Sequence, residues 1–149
     1  MADRAKELSW AAAILRGMLG AIFLYHGAQM LFGAFGGNGF DATAARIQDY
    51  LGFRPGTLFA VVFGGTVFLS GLFLFIGLFT RPASIPAAVA AGLALFWKNW
   101  SETVFATPGD IFPYHLLLFA VALAVYFLGP GAFSVDRKIA RERADARGQ

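Results

Sequence analysis

Four long stretches without a charged residue divide the chain, and short polar segments separate them. They cover residues 17–40, 55–80, 82–97 and 111–135. A hydrocarbon core about 30 Å thick needs about 20 helical residues. Three of the stretches reach this length, and the stretch 82–97 reaches it if its helix continues through Trp97 to Trp100 in the interfacial zone. The pattern predicts transmembrane helices at about 11–31, 58–79, 83–100 and 111–128.

A shorter helix is predicted between the first and second spans. Asp41 is a residue type that caps helix starts, and Phe40 is placed to pack against Ala45. Apolar residues such as Ile47 and Leu51 would then face the membrane or the bundle, so that the helix lies across the outer face. The predicted fold class is an all-α integral membrane four-helix bundle with a short interfacial helix, followed by a basic tail over 137–149.

Small residues and prolines indicate how the spans pack and where they end. Six small residues share one side of the first span and favour close packing there: Ala13, Gly17, Gly20, Ala21, Gly27 and Ala28. Pro82 is expected to break the chain between the second and third spans, and Pro86 to lie in the first turn of the third. Gly129 and Gly131 are expected to end the fourth span.

The composition excludes several classes of protein. The chain is 58% hydrophobic and only 14% charged, and 149 residues do not supply a polar shell around four such helices. Cysteine is absent, which excludes disulfides, thiolate-bound metal centres, covalent haem and a dithiol relay. Any redox chemistry must therefore belong to a bound cofactor or a partner. The mixed-charge start also argues against a cleaved signal peptide, so the first span is expected to remain.

Lysine and arginine are distributed unevenly between the two ends of the predicted bundle. The end with both termini carries nine, namely Arg4, Lys6, Arg16, Arg81, Arg137, Lys138, Arg141, Arg143 and Arg147; the other end carries Arg46, Arg54 and Lys98. The positive-inside rule places both termini in the cytoplasm of an inner-membrane protein. The basic tail is expected to touch anionic lipid rather than nucleic acid.

Polar and aromatic residues collect near the outer ends of the spans. His26 on the first span and His115 on the fourth are predicted at similar depth, about 6–9 Å below the surface. Tyr25, Gln29, Trp97, Trp100, Asp110 and Tyr114 belong to the same layer. Such a layer offers hydrogen bonds to quinone carbonyls and aromatic cover for the ring, and histidine can deliver protons. The alternative is an ordinary aromatic belt in which each histidine bonds a neighbouring helix.

Two further interpretations concern cofactors and buried charge. Facing histidines can ligate haem b, or bind a metal together with Asp110, but no second motif supports either, and no metal site is predicted. Arg16 lies inside the first span and needs a partner. Asp136, just past the fourth span on the same side, is the expected carboxylate, and an Arg16–Asp136 ion pair would tie the first helix to the last.

Five sequence blocks, in order and with their spacing, resemble one family. They are Leu15-Arg16, Phe23-Leu-Tyr-His-Gly-Ala-Gln29, 32–39, Gly77-Leu-Phe-Thr-Arg-Pro82 and Gly129-Pro-Gly-Ala-Phe-Ser-Val-Asp136. Together they resemble the DoxX/DoxD family of small four-helix membrane proteins, over about residues 14–136. The resemblance implies association with redox enzymes, since the family takes its name from a thiosulfate:quinone oxidoreductase. A glutamate common in the family's second span corresponds to Val67 here, and a Gly-Gly-Glu-like element is replaced around Gly109.

These observations lead to two expected functions of different classes. The first is a quinone-interacting membrane subunit that receives electrons from a soluble or extrinsic partner enzyme, with His26 and His115 as the reactive pair. The second is a non-catalytic anchor, assembly or packing subunit of a larger membrane complex. The missing acids and cysteines favour the second. A solute carrier is disfavoured, since neither an internal repeat nor a helix broken near the midplane is evident.

Overall fold

The computed structural model describes residues 2–96 and 111–147, and its regular structure there is entirely helical. The helices are α1 (Ala2–Phe32), α2 (Gly39–Leu51), α3 (Gly56–Ile76), α4 (Thr80–Phe96), α5 (Ile111–Leu128) and α6 (Val135–Arg147), with a 3₁₀ turn at Ala34–Gly36. The chain is an all-α integral membrane protein, as the sequence predicts. Within the described residues, α1 and α3 are long and apolar enough to cross a membrane, and α5 is apolar but shorter.

Four of the helices form the bundle. Helix α1 packs on α3, α3 on α4, α4 on α5, and α5 returns to α1. The buried core between them is built from alanine, leucine, valine and phenylalanine side chains, among them Leu19, Leu74 and Val125. One end of the bundle carries residue 2, the α3–α4 turn and α6, and we refer to it as the terminal end. The other carries His26, His115 and α2, and we refer to it as the histidine end.

Glycines allow α1 and α3 to approach at backbone distance. A Cβ atom on Gly20 would lie 2.9 Å from the carbonyl oxygen of Gly71, and one on Gly27 would lie 2.6 Å from the Cα of Phe68. Small residues thus form this contact as predicted for Gly20 and Gly27. The prediction is wrong for Gly17, which has no atom within 4 Å of such a Cβ.

Helix α2 covers the beginning of α3 at the histidine end. Ala44 and Ile47 are buried against Ala60, with Phe40 and Phe59 packed around them. The start of the helix differs from the sequence prediction. Its N-cap is Asn38, which makes no side-chain capping hydrogen bond, and Asp41 lies in the first turn instead of at the cap. The acidic charge still lies at the positive end of the helix dipole.

The prolines of α4 are placed differently from the prediction. The helix begins at Thr80, so Pro82 lies in its first turn and Pro86 lies inside the helix. The chain break falls earlier, at Gly77 and Phe79, which both have positive φ. Helix α4 starts early because the amides of Phe79 and Thr80 donate hydrogen bonds to the carboxylate of Asp136, which lies far along the chain. Pro82 lacks only an amide hydrogen that would be unsatisfied in a first turn.

Candidate functional site

A hydrogen bond between α1 and α5 marks the histidine end. The His26 Nε2 atom lies 2.8 Å from the Tyr114 hydroxyl, although the two residues are 88 positions apart. The His26 Nδ1 atom lies 3.3 Å from Gln29 Oε1, one turn further along α1. With Nδ1–H donating to the Gln29 oxygen, Nε2 is an acceptor and the Tyr114 hydroxyl donates to it. Gln29 thus favours this tautomer, and the hydrogen bond between His26 and Tyr114 joins the two helices.

His115 lies behind this hydrogen bond, inside the bundle. Its side chain is 1% exposed, and it follows Tyr114 directly, so that one residue faces outward and the next inward. Both histidines line one small cavity of about 10 Å³, together with Phe23, Val67, Ala90, Ala91 and Leu118. The structure thus brings His26 and His115 to one place. The cavity is near the minimum size for a single water molecule.

An aromatic platform lies on the outer side of His26. The rings of Tyr25 and Phe35 stack with centroids 5.0 Å apart and an interplanar angle of 25°, and Tyr25 meets the His26 ring edge-on at 5.5 Å. Tyr25 and Tyr114 are 42% and 37% exposed. The exposed edge of the site therefore combines a hydroxyl, an imidazole and a flat apolar surface.

The turn after α1 holds this edge in place. Phe35 has φ 54° within the 3₁₀ turn, a left-handed conformation that is uncommon for a non-glycine residue. A Cβ atom on Gly37 would lie 2.6 Å from the Gln29 Cα, so the turn folds directly onto Gln29. The sequence showed this segment only as a glycine-rich turn. The signal available for Phe35 was an aromatic residue flanked by glycines close after His26.

The three other residues of the predicted layer, Trp97, Trp100 and Asp110, lie outside the described residues. Within 2–96 and 111–147, no group of three histidine, aspartate or glutamate side chains is arranged to hold a metal ion. Haem does not fit between the two histidines, because their cavity holds about one water molecule. A quinone ring does not fit there either, and the hydroxyl groups of Tyr25 and Tyr114 belong to exposed side chains outside this cavity.

A second buried polar cluster occupies the terminal end. The Asp136 carboxylate accepts hydrogen bonds from the backbone N–H groups of Phe79 and Thr80, at 2.8 and 2.9 Å. The Asp136 amide donates to the Gly77 carbonyl at 3.1 Å. Asp136 therefore caps α4 from beyond α5, which satisfies amides that a helix cannot pair internally.

Arg16 lies beside the same turn and is 4% exposed. Its guanidinium contacts the Gly77 α-carbon so closely that a Cβ there would overlap it. Among the described residues, its Nε and Nη1 atoms have no hydrogen-bond partner. Asp136 is close enough to interact with it electrostatically, yet the carboxylate hydrogen bonds found go to the α4 amides. The predicted Arg16–Asp136 ion pair therefore stays a prediction, although both residues lie at the same turn.

The two charges complement the helix ends that meet there. Gly77 is the C-cap of α3, where the carbonyl end of the helix dipole favours a cation such as Arg16. The start of α4 favours an anion such as Asp136. The cluster thus brings each charge to a helix terminus that favours its sign.

An apolar groove of about 500 Å³ runs between α3 and α4. Phe59, Phe63, Val89 and Leu93 are among its lining residues, and Thr66 is the one polar side chain among those that the structure describes. Ala90 lines both this groove and the histidine cavity. The groove suits an acyl or isoprenoid chain, since it offers little to a carbonyl oxygen.

Comparison with known proteins identifies a family. The family model described as DoxX matches residues 11–100, which is more than half of the 149 residues. No curated protein and no solved structure matches the chain. His26 and Val67 lie within the matched residues, whereas Tyr114 and His115 follow them.

Proposed function

This chain belongs to the DoxX family, and from that premise we propose that it is a membrane subunit that binds a quinone on behalf of a partner oxidoreductase. The observation that carries the proposal is the His26–Tyr114 hydrogen bond of 2.8 Å at an exposed, aromatic-lined edge of the bundle. A quinone supplies the capacity to accept two electrons and two protons. The partner supplies the electrons, because this chain has no cysteine that could form a dithiol relay or hold a thiolate-bound metal centre.

The exposed edge provides what a quinone ring requires. Tyr114 offers its hydroxyl hydrogen to one carbonyl oxygen when it is released from His26. The stacked rings of Tyr25 and Phe35 offer a flat surface against the ring plane. The tail of the ligand leaves directly into lipid, because Tyr25 and Tyr114 are exposed on the outside of the bundle.

The buried histidine supports proton delivery to the same edge. His115 and His26 face one cavity, and His26 bonds the Tyr114 hydroxyl. Histidine exchanges protons near neutral pH and tyrosine relays them. The three side chains therefore form a short path from the interior of the bundle to the ligand edge.

Tyr114→Phe tests the site by removing one hydroxyl and leaving the ring. We expect binding of a short-chain quinone to the detergent-purified protein to weaken about tenfold, because a hydrogen bond is lost in a site of low polarity. Tyr126→Phe is the matched control, since Tyr126 is on the same helix at similar exposure but at the terminal end. Equal quinone affinity in the wild type and both variants would contradict the site.

A second candidate function has its own supporting observation. Val67 is buried and lines the histidine cavity, at the position where the family resemblance leads one to expect a glutamate. The cavity therefore lacks an acid among its described lining residues, which favours a non-catalytic anchor or assembly subunit. Extraction of the purified protein distinguishes the two: stoichiometric quinone supports the first candidate, and a stable complex without quinone supports the second.

A further inference from the structure

A cleft of about 690 Å³ opens at the terminal end, between the first turns of α1 and helix α6. From α1 it is lined by Lys6, Ser9 and Trp10, and from α6 by Arg137, Lys138 and Arg141, among others. It lies on the opposite end of the bundle from the quinone site. We propose that this cleft binds the headgroup of an anionic phospholipid.

The cations of the cleft come from one face of each helix. Arg137, Lys138 and Arg141 have the spacing i, i+1 and i+4, which brings them to one side of α6, and Ser134 directly precedes the helix. The acidic residues of both segments, such as Glu7 and Glu142, are absent from the lining. Four positive side chains therefore face the cleft with no carboxylate among the described lining residues.

Two hydrogen bonds to Ser9 fix the shape of the cleft before any ligand binds. The Arg137 Nη1 donates to the Ser9 hydroxyl at 2.9 Å, and the Ala132 amide donates to the Ser9 carbonyl at 2.8 Å. Helix α6 is thereby held against α1. A preformed cleft loses less conformational entropy on binding than a free basic tail does.

Two exposed aromatic residues indicate that the ligand is a lipid. Trp10 is 53% exposed and Phe133 is 79% exposed, and their ring centroids are 5.0 Å apart. Aromatic side chains of this kind lie at the level of the headgroups in membrane proteins. The cleft thus combines cations with apolar rings at one site. A phospholipid phosphate with its attached chains matches both, and a free phosphate ion matches only the cations.

The test compares two double variants with the same charge change on the same two helices. Lys6→Gln with Arg141→Gln removes two cations from the cleft, whereas Arg4→Gln with Arg143→Gln removes two neighbouring cations outside it. Native mass spectrometry measures binding of phosphatidylglycerol, phosphatidylcholine and inorganic phosphate to the full chain. We expect the cleft variant to bind phosphatidylglycerol about tenfold more weakly and the control to bind it as the wild type does.

Several outcomes would overturn the proposal. Equal losses in both double variants would show a diffuse charge effect, and no loss in either would show that the cleft does not bind the lipid. Displacement of phosphatidylglycerol by an equal concentration of inorganic phosphate would assign the cleft to a small anion. Lys138→Gln alone, at an exposed position, provides a second variant in case the double one fails to fold. Quinone binding should be unchanged in all of them, so this test is independent of the proposed function.

Discussion

At the scale of single residues, the molecule uses polar side chains in pairs that join distant parts of the chain. His26 bonds Tyr114 at one end, and Asp136 bonds the amides of Phe79 and Thr80 at the other. An unpaired polar group costs more in hydrocarbon than in water. Each pair therefore fixes the relative depth of two helices as well as their contact.

Gly77→Ala tests how tightly the Arg16 cluster is built. An alanine at this position must keep the positive φ of the glycine. Its methyl group must also displace the Arg16 guanidinium. Gly52→Ala is the matched control, because Gly52 is likewise the left-handed C-cap of a helix, with nothing within 4 Å of a Cβ. We expect the control to lose about 1 kcal/mol and Gly77→Ala to lose at least about 2 kcal/mol more. Thermal unfolding in detergent measures both, and equal losses would contradict the close contact.

At the scale of helices, burial of small residues decides which faces meet. Helices α1 and α3 are in contact through Gly20, Gly27 and Gly71. Backbone atoms of the facing helix lie where a Cβ atom would be if these residues were not glycine. Between helices in lipid, such packing replaces the hydrophobic effect as the source of association. The backbones of α1 and α3 are therefore in direct contact at these glycines.

Gly71→Ala and Gly65→Ala test this packing within one helix. A Cβ on Gly71 would lie 3.0 Å from the Gly20 carbonyl oxygen and closer still to the Leu24 amide, whereas one on Gly65 meets nothing within 4 Å. We expect Gly71→Ala to destabilise the protein by about 1–3 kcal/mol. Gly65→Ala should be neutral or stabilising by up to about 1 kcal/mol, because alanine favours the helix. A similar unfolding temperature for the two variants would show that α1 and α3 are farther apart.

Much of the helical architecture follows from local sequence, and the helix ends do not. Uncharged stretches predict where spans lie because hydrophobicity acts over one helix at a time. The start of α4 at Thr80 depends on Asp136, which is far along the chain, so no local pattern marks it. At the site, by contrast, the proximity of His26 and His115 could be predicted from the similar depths of the two residues in their helices. The role of Phe35 could not, since it depends on how one glycine-rich turn folds back onto α1.

At the scale of the whole molecule, charge separates the two ends of the bundle. The terminal end carries α6 with its basic face and the cleft between α1 and α6, and the histidine end carries the proposed quinone site and α2. The positive-inside rule predicts that the terminal end faces the cytoplasm. The proposed lipid site and quinone site would then contact opposite leaflets of the membrane.

Single cysteines test this orientation directly, because the natural chain contains none. Asn38→Cys places a thiol between α1 and α2, and Ala144→Cys places one on α6, both at exposed positions. In intact cells whose outer barrier is permeable to a charged maleimide, we expect Asn38→Cys to be labelled and Ala144→Cys to be labelled only after membrane disruption. The reverse labelling would place both termini outside the cytoplasm.

The shelter of Arg16 also has a consequence for the order of biosynthesis. The arginine emerges from the ribosome within the first helix, but Gly77, which lies against its guanidinium, and Ser134, which lies beside Gly77, are synthesised long afterwards. Until they arrive, the nascent first helix carries a charge that the translocon must accommodate without its native neighbours. The native surroundings of this arginine are therefore complete only when nearly all of the residues up to Ser134 have been translated.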